Sequence, residues 1–412
     1  MNKDTIKRID AVLGTVVCFL LTLHRRLVDS FAPHDPGPVR KILFLKLIEQ
    51  GATVLAAPAI QAAVARVGRE NVYFCVFREN RPILDILDLV PADNVIEVRH
   101  DTFSQFIRDA FSALRLIRRH RIDTVVDMEF LARAPAILAY LTGAARRVGL
   151  HRFTAEGPYR GDLMTHRVQH NPYLHTSMAY QLLVDALDED PTDLPLLKVP
   201  AARAELEPPP YTPSAAETAR VLHILEDGGL RGAGPLVILN PNTGDLLPLR
   251  TWPIERFVAL GQRILAEHDD VTLILTGAPS ERAGVEDICR RIGTDRVLSV
   301  AGKTTLREVI VLYTLADVLV TNDSGPGHFA SMTGIHDIVL FGPETPVLFG
   351  PLGENRHVLW AQLACSPCVN PYNHRFSPCT NNKCMQAIST EEVYRTVASC
   401  LAARRVENEK AG

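Results

Sequence analysis

Blocks of like charge are missing from this chain, and its formal net charge is only −3 over 412 residues. That balance removes the general electrostatic reason to expect a nucleic-acid partner, which needs concentrated basic surface. Cysteine is sparse as well, at eight residues, far from the density of a disulfide scaffold. Four of these, Cys18, Cys75, Cys289 and Cys400, stand singly in apolar or helical surroundings and read as buried or membrane-facing thiols. The GxSxG, HExxH and P-loop lysine patterns are absent, which argues against serine hydrolase, zincin and P-loop nucleotidase chemistry. Asp188 and Asp190 have the spacing of a DxD metal motif. They lie in a proline-rich stretch, however, and read as solvated loop, so no acidic pair is placed to serve a diphosphate. Short-period repeats and low-complexity tracts are also lacking.

The N-terminal apolar run is short. Ala11 to Leu23 gives 13 uncharged residues between Lys7 and Arg8 on one side and His24, Arg25 and Arg26 on the other. As a helix it is about 20 Å long, against a hydrocarbon core of roughly 30 Å, so a straight span is disfavoured. Basic residues follow it at once and no small-residue cleavage site precedes Pro33, which also disfavours a secretory signal. The segment reads as a helix dipping into one leaflet with its Lys and Arg at the headgroups, a buried core helix being the alternative.

An apolar content of 47% and a charged content of 22% describe a folded globular chain, and its length suits two domains. Three prolines and a glycine between Phe31 and Pro38 make a linker. Strands then alternate with helices: Lys41–Leu47, Asn71–Phe77, Asn94–Val98, Asp123–Met128 and Arg146–Leu150 read as strands. Regularity fades from His151 to Pro213, and the alternation restarts with strands at Leu236–Asn240, Val271–Thr276, Val297–Val300, Ala316–Thr321 and Ile338–Phe341. Such alternation implies α/β architecture with parallel, doubly wound sheets, and two of them facing each other leave a cleft at their strand ends. The expected division is an apolar helix and linker over 1–38, one Rossmann-like domain over 39–205 and another over 206–387. A final helix within 388–412 is expected to pack back on the first domain.

The stretch Thr321 to Gly334, TNDSGPGHFASMTG, joins a buried strand to a tight turn and a helix N-terminus. Gly325 and Gly327 would let backbone amides approach a ligand, and the helix end favours an anion such as phosphate. His328 sits in the first turn, and Asp323 stands at the strand end near a sugar hydroxyl or orients the loop. An ordinary strand-to-helix turn capped by its Asp has the same pattern.

Six segments, NPNTG with RTWPIERF, TGAPSE, AGKTTLRE, NDSGPGHFA and FGPETP, follow in order through the second half. Together they resemble family 9 of the glycosyltransferases, the ADP-heptose:lipopolysaccharide heptosyltransferases. The resemblance runs from about Arg40 to the end and is strongest over 236–350. It implies the two-domain GT-B fold, with an acceptor domain first and a donor domain second. It also implies transfer with inversion, most plausibly of a heptose from an ADP-heptose-like donor to a lipopolysaccharide-core or other lipid-linked acceptor. By that resemblance Asp323, Ser324, Gly325 and His328 hold the donor, and Asn242 and Thr243 bind its phosphates. Arg250 stands where the family usually has a diphosphate-neutralising lysine, and Glu281 and Thr304 lie near the nucleoside. The bland alternatives are a surface charge at Arg250, a first-turn acid at Glu281 and a helix N-cap at Thr304. Leaving-group charge would fall to Arg250, His328 and backbone amides, with no cofactor required.

One departure stands out. Family members open with a turn ending in Gly-Asp, whose aspartate is the proposed base; here Gly51 is followed by Ala52. An alanine accepts no proton, so Glu49, in the same turn, is the candidate base, and a solvent-facing loop carboxylate is its plain alternative. Lys46 binds donor or acceptor phosphate, or simply ends its strand.

Arg115, Arg118, Arg119, Arg121, Arg146 and Arg147 make a positive side, which attracts anionic headgroups or a phosphorylated glycolipid if it is more than a solvated face. Cys365, Cys368, Cys379 and Cys384, with His374 between, have spacing compatible with a structural zinc, beside the alternative of free or redox-labile thiols. The expected partners are a nucleotide sugar, a glycolipid and the cytoplasmic face of a bacterial inner membrane, bound peripherally or monotopically. Two rivals remain: a non-catalytic relative that binds nucleotide sugar or glycolipid, which Ala52 favours, and a nucleotide-sugar epimerase on the same scaffold.

Overall fold

The computed structural model describes residues 3–31, 37–153, 157–200, 206–232, 234–244, 247–373 and 376–411. Most of the linker between Phe31 and Pro38, and His374 among the late cysteines, lie outside the described residues. The chain divides near Leu206 into two units.

In the first unit, α1 (Lys3–Phe31) precedes β1 (Ile42–Leu45), α2 (Gln50–Leu55), α3 (Ala57–Val67), β2 (Val72–Phe77) and α4 (Arg81–Leu87). Next come β3 (Val95–Val98), α5 (Phe103–Arg119), β4 (Thr124–Asp127), α6 (Arg133–Thr142), β5 (Arg146–His151), β6 (His166–Gln169) and α7 (Thr176–Asp185). The strands make one parallel sheet in the order β3-β2-β1-β4-β5-β6. Strand β1 reads ILFL and is buried throughout, the pattern of a central strand covered on both faces. The order reverses at β1, so helices pass to both sides of the sheet, as the alternation requires.

The second unit holds α8 (Ala215–Asp227), β7 (Leu236–Asn240), α9 (Ile254–Glu267), β8 (Thr272–Leu275), α10 (Arg282–Ile292), β9 (Val297–Ser299) and α11 (Leu306–Leu315). It continues with β10 (Val318–Asn322), α12 (Gly325–Ala330), β11 (His336–Phe341), α13 (Pro346–Phe349), β12 (Arg356–Trp360), α14 (Lys383–Gln386) and α15 (Thr390–Ala411). Its sheet is again parallel, in the order β12-β11-β10-β7-β8-β9. Capping boxes start α8, at Ser214 with Glu217, and α11, at Thr305 with Glu308. The cap of α11 is therefore Thr305, one residue beyond Thr304.

Four elements differ from expectation. Strands β6 and β12 each add an edge to a sheet. Their sequences, HRVQ and RHVLW, carry polar residues; β6 is buried only at His166 and Val168 and β12 is half-buried or exposed throughout, which hid them from hydrophobic periodicity. The run Thr53–Val67, which reads from the sequence as one helix after the first strand, is broken at Ala56 into α2 and α3. Helix α15 lies on the second unit, against α9, β10 and β11, rather than on the first. Val393, Val397, Cys400 and Leu401 enter that unit's core, and an amphipathic pattern does not say which apolar surface will receive it.

The apolar N-terminal segment is part of a helix of 29 residues, much longer than its uncharged run. Among the described residues it is the one helix long and apolar enough to cross a membrane by length and composition, over Asp10–Ser30. One face of it is built into the first unit. Asp10 accepts from the backbone N–H groups of Arg133 (3.1 Å) and Ala134 (2.9 Å), capping α6 from another helix. Cys18 is fully buried, the Thr22 hydroxyl accepts from Asp162 N–H at 2.9 Å, and Arg25 donates to Asp162 O at 2.7 Å. The opposite face is an uncharged stripe of Val12, Leu13, Val16, Phe19, Leu20, Leu23 and Leu27, all exposed.

Gly161 permits this docking. It has φ +70, and a Cβ there would lie 2.6 Å from Thr22 Oγ1 and 2.7 Å from the Cys18 carbonyl. Gly161→Ala is therefore expected to cost more than about 1 kcal/mol and to loosen α1 selectively. Hydrogen exchange confined to α1 and residues 159–164 checks this, and unchanged protection there would contradict the packing described.

Candidate functional site

Parallel strands deliver their following loops to one end of a sheet, and in the second unit those loops carry the polar residues of interest. Asn242, Thr243 and Arg250 follow β7, Glu281 follows β8, Thr304 follows β9, Asp323 and Ser324 follow β10, and Glu344 follows β11. Asn322, buried at the end of β10, holds the longest of these loops. Its Nδ2 donates to Pro241 O and its Oδ1 accepts from Trp252 N–H, both at 2.9 Å. Trp252 is wholly buried beneath, its Nε1 donating to Ile388 O at 3.0 Å.

Arg250 is thereby placed between two acids. Its Nη1 lies 3.8 Å from Asp323 Oδ2 and 3.5 Å from Glu344 Oε2, and all three residues are buried. Burial raises the Asp323 pKa against the opposing pull of Arg250. Glu344 is pushed up to about 8, first by burial and then by the neighbouring Asp323 carboxylate, with Arg250 acting the other way. Near neutral pH this cluster therefore carries a proton on a carboxyl. Glu344 was not among the residues expected from the sequence, where it reads as one acid in FGPETP.

Asn242 donates through Nδ2 to Thr276 O at 3.2 Å, and Thr243 and Thr251 share a hydroxyl contact of 3.0 Å. A Cβ on Gly277 would lie 2.8 Å from Asn242 Nδ2 and 3.3 Å from Glu281 Oε2, so those two side chains flank one glycine. Glu281 also accepts from Ala278 N–H at 2.7 Å, a local cap. Thr304 is half-buried on the adjoining loop. The Ser324 hydroxyl donates to Asn322 O at 3.1 Å, and His328 is half-buried in α12. The glycines also answer to packing inside the fold. A Cβ on Gly327 would lie 2.9 Å from Val339 Cγ2, too close without a shift, and one on Gly325 would lie 3.1 Å from the Phe329 ring, a tight contact.

In the first unit Lys46 is buried at the end of β1, donating to Ile48 O at 2.7 Å and pairing with Glu129 at 3.3 Å. Glu129 Oε1 also accepts from Leu47 N–H (2.7 Å) and Ile48 N–H (3.1 Å), so it shapes the turn leaving β1. Sequence reasoning missed Glu129; the signal was Asp127 and Glu129 two apart at the end of a strand, beside a strand ending in lysine. Asp127, buried and paired with Arg160, is pushed up to about 6 by burial. Glu49 has φ 72, a left-handed conformation rare for a non-glycine residue, and its Oε2 lies 3.9 Å from Lys46 Nζ. Gly51 and Ala52 are the second and third residues of α2.

Among the described residues the late cysteines are not gathered as a zinc site. Among the described residues, the grouping with metal-ligand proximity is His336, His357 and Cys400, not any three of Cys365, Cys368, Cys379 and Cys384. Cys365 and Cys379 are exposed, whereas Cys384 is buried, its Sγ 3.2 Å from where a Gly342 Cβ would stand.

These features define an α/β protein of two doubly wound parallel sheets, with a buried cation and polar side chains assembled where the second sheet's strands end. The sequence profile of glycosyltransferase family 9 (heptosyltransferase) matches residues 111–375, and the chain belongs to that family. It is 25% identical over 175 residues to lipooligosaccharide heptosyltransferase 2 of Campylobacter jejuni, a match covering 42% of this chain and 53% of that protein. The chain thus spans about half the length of that curated relative. Among solved structures, the family 9 glycosyl transferase of Veillonella parvula has TM-score 0.68 at 18% identity, covering 90% of this chain and 100% of the other. The Escherichia coli ADP-heptose lps heptosyltransferase II has TM-score 0.65 at 18% identity, covering 89% and 99%. Both likenesses concern the GT-B fold.

The acid cluster makes stability pH-dependent. Because burial raises Glu344 above its ordinary 4.5, its stabilising contribution is complete below 4.5 and is lost as pH rises through about 8. The thermal midpoint of the ligand-free protein is expected to fall by at least about 2–4 °C across that window, and Glu344→Gln to flatten the fall. A Glu344→Gln profile parallel to the wild type would show that Glu344 is not the titrating group.

Proposed function

We propose that this protein is an inverting glycosyltransferase that moves a sugar, most plausibly a heptose from an ADP-heptose donor, to a lipopolysaccharide-core or other lipid-linked acceptor. The carrying observation is Arg250, buried between two acids whose pKa values are raised. An incoming diphosphate replaces carboxylate as the partner of the guanidinium, while the acids take up protons instead of repelling the anion. Asn242, Thr243, Ser324, Gly325 and His328 surround the phosphates, Asp323 faces the sugar, and Glu281 and Thr304 face the nucleoside. Leaving-group charge falls to Arg250, His328 and the amides of α12. The donor named for the Escherichia coli structure and the substrates named for the curated relatives support this choice of sugar and acceptor.

Glu49 is the proposed base. Its positive φ is strain held at the turn where the family's aspartate would stand, and such strain concentrates at functional sites. The competing reading is a non-catalytic binder of nucleotide sugar, favoured by Ala52. Nucleotide release from ADP-, GDP-, UDP- and dTDP-sugars, with and without a bacterial glycolipid extract, separates the two. Acceptor-dependent release from one donor, lowered by roughly 10²-fold or more in Glu49→Gln and strongly reduced in Arg250→Ala, is expected. Donor binding without turnover by the wild type would favour the binder, and release unchanged in Glu49→Gln would remove that residue as base.

The acceptor's lipid brings the protein to a membrane surface, the cytoplasmic face of the inner membrane in the proposed setting. Helix α1 supplies the contact: its inner face is bonded to the first unit from Asp10 to Arg25, so its outer apolar stripe lies along the interface instead of crossing it. Leu20→Glu with Leu23→Glu is expected to move the folded protein from the floating to the soluble fraction with anionic lipid vesicles. Undiminished flotation would rule out α1 as the contact.

A further inference from the structure

Helix α15 brings Cys400 against the second sheet near its β12 edge, where two histidines meet it. His336 opens β11, and His357 lies in β12, whose register pairs His357 with Ile338. Ile338 and Leu340 of β11 and Leu359 of β12 belong to or pack against the same core as Cys400, so the alternating His336 and His357 share the face that α15 covers. One ligand atom from each of His336, His357 and Cys400 lies within 4.8 Å of the others. The ring centroids of the histidines are 5.7 Å apart.

Three ring nitrogens here lack hydrogen-bond partners among the described residues. His336 is 6% exposed and Cys400 2%, yet neither ring nitrogen of His336 nor Nε2 of His357 has a hydrogen-bond partner among the described residues. Buried imidazole nitrogens left in this state cost free energy, and such orphans call for an explanation. Glu407, Arg404 and Asp317 act electrostatically on His336, and the buried Asp337 acts on Cys400; Arg404 pairs with Asp317 at 3.4 Å and with Glu407 at 3.1 Å. The charges of Arg404, Asp317 and Glu407 are thus occupied with one another.

We propose that His336, His357 and Cys400 bind one divalent zinc-like ion that fastens α15 to the β11–β12 edge. Two imidazoles and a thiolate are a zinc donor set, and a tetrahedral ion with bonds of about 2.0–2.3 Å draws its ligands together by roughly an ångström from their present spread. Binding forms two N–metal bonds and one S–metal bond, and the Cys400 thiol proton leaves to solvent. Burial lowers both histidine pKa values, keeping the nitrogen lone pairs available, while it raises the thiol to about 12, so the proton is displaced by the metal itself. The role is structural. The site lies at the amino end of β11, about 17 Å of strand away from Glu344 beyond its carboxyl end.

The test uses the full chain, stripped with chelator and titrated with Co²⁺ and with Zn²⁺. One Co²⁺ per chain is expected, with thiolate-to-cobalt charge-transfer absorption, and Zn²⁺ should raise the thermal midpoint. Cys400→Ala should abolish the charge-transfer band, and His357→Phe should weaken binding by on the order of 100-fold or more, at least the scale of ligand-supporting residues. Serine at Cys365, Cys368, Cys379 and Cys384 should leave the band unchanged. X-ray absorption on the wild-type metal complex needs no variant and should read one sulfur with imidazole neighbours. An all-sulfur shell, a band that survives Cys400→Ala or vanishes with the four serines, or no binding by the stripped wild type would each overturn the assignment.

Discussion

The side-chain amide of Asn322 donates to Pro241 O and accepts from Trp252 N–H, each at 2.9 Å, from the last position of a central strand. Those two bonds pin both ends of the loop after β7 to the end of β10. A buried amide that lost either partner would leave a backbone group unsatisfied, so the loop's path is held by desolvation cost as much as by attraction. Arg250 rides on that loop, and its approach to Asp323 and Glu344 follows from where Asn322 holds Trp252. The Trp252 indole, donating to Ile388 O, extends the same constraint to the segment before α15.

Each unit also buries ion pairs where its strands end: Arg250 with Asp323 and Glu344 in the second, Lys46 with Glu129 and Arg160 with Asp127 in the first. Apolar residues of similar volume would usually stabilise such positions as well or better, because charges lose hydration on burial. In the first unit Glu129 and Asp127 are tied into backbone hydrogen bonds as well as to their cations, which suits shaping a turn. The cluster in the second has two carboxyls for one guanidinium, so its balance responds to protons and to added anions.

Helix α1 shows how composition and packing share a decision. Its apolar residues encircle much of the helix, and a hydropathy window cannot divide them between a core and a lipid surface. Tertiary hydrogen bonds at Asp10, Thr22 and Arg25 choose the inner face, and what remains outward is Val12, Val16, Leu20, Leu23 and Leu27 without a charge among them.

The sequence alone determined the alternating α/β architecture, the end of β10 as a site of polar chemistry and the family resemblance, because burial on both faces of parallel strands and local turn chemistry are written in neighbouring residues. It also showed that Ala52 cannot be a base, a matter of side-chain chemistry without geometry. Only the tertiary structure decided that α15 joins the second core and that edge strands β6 and β12 exist, since an apolar stripe does not name its partner and an edge strand need not be apolar. It also placed Glu344 and Glu129 beside Arg250 and Lys46. Those contacts join residues 94 and 83 positions apart in the chain, and the desolvation that shifts Glu344 exists only once the fold has closed around it.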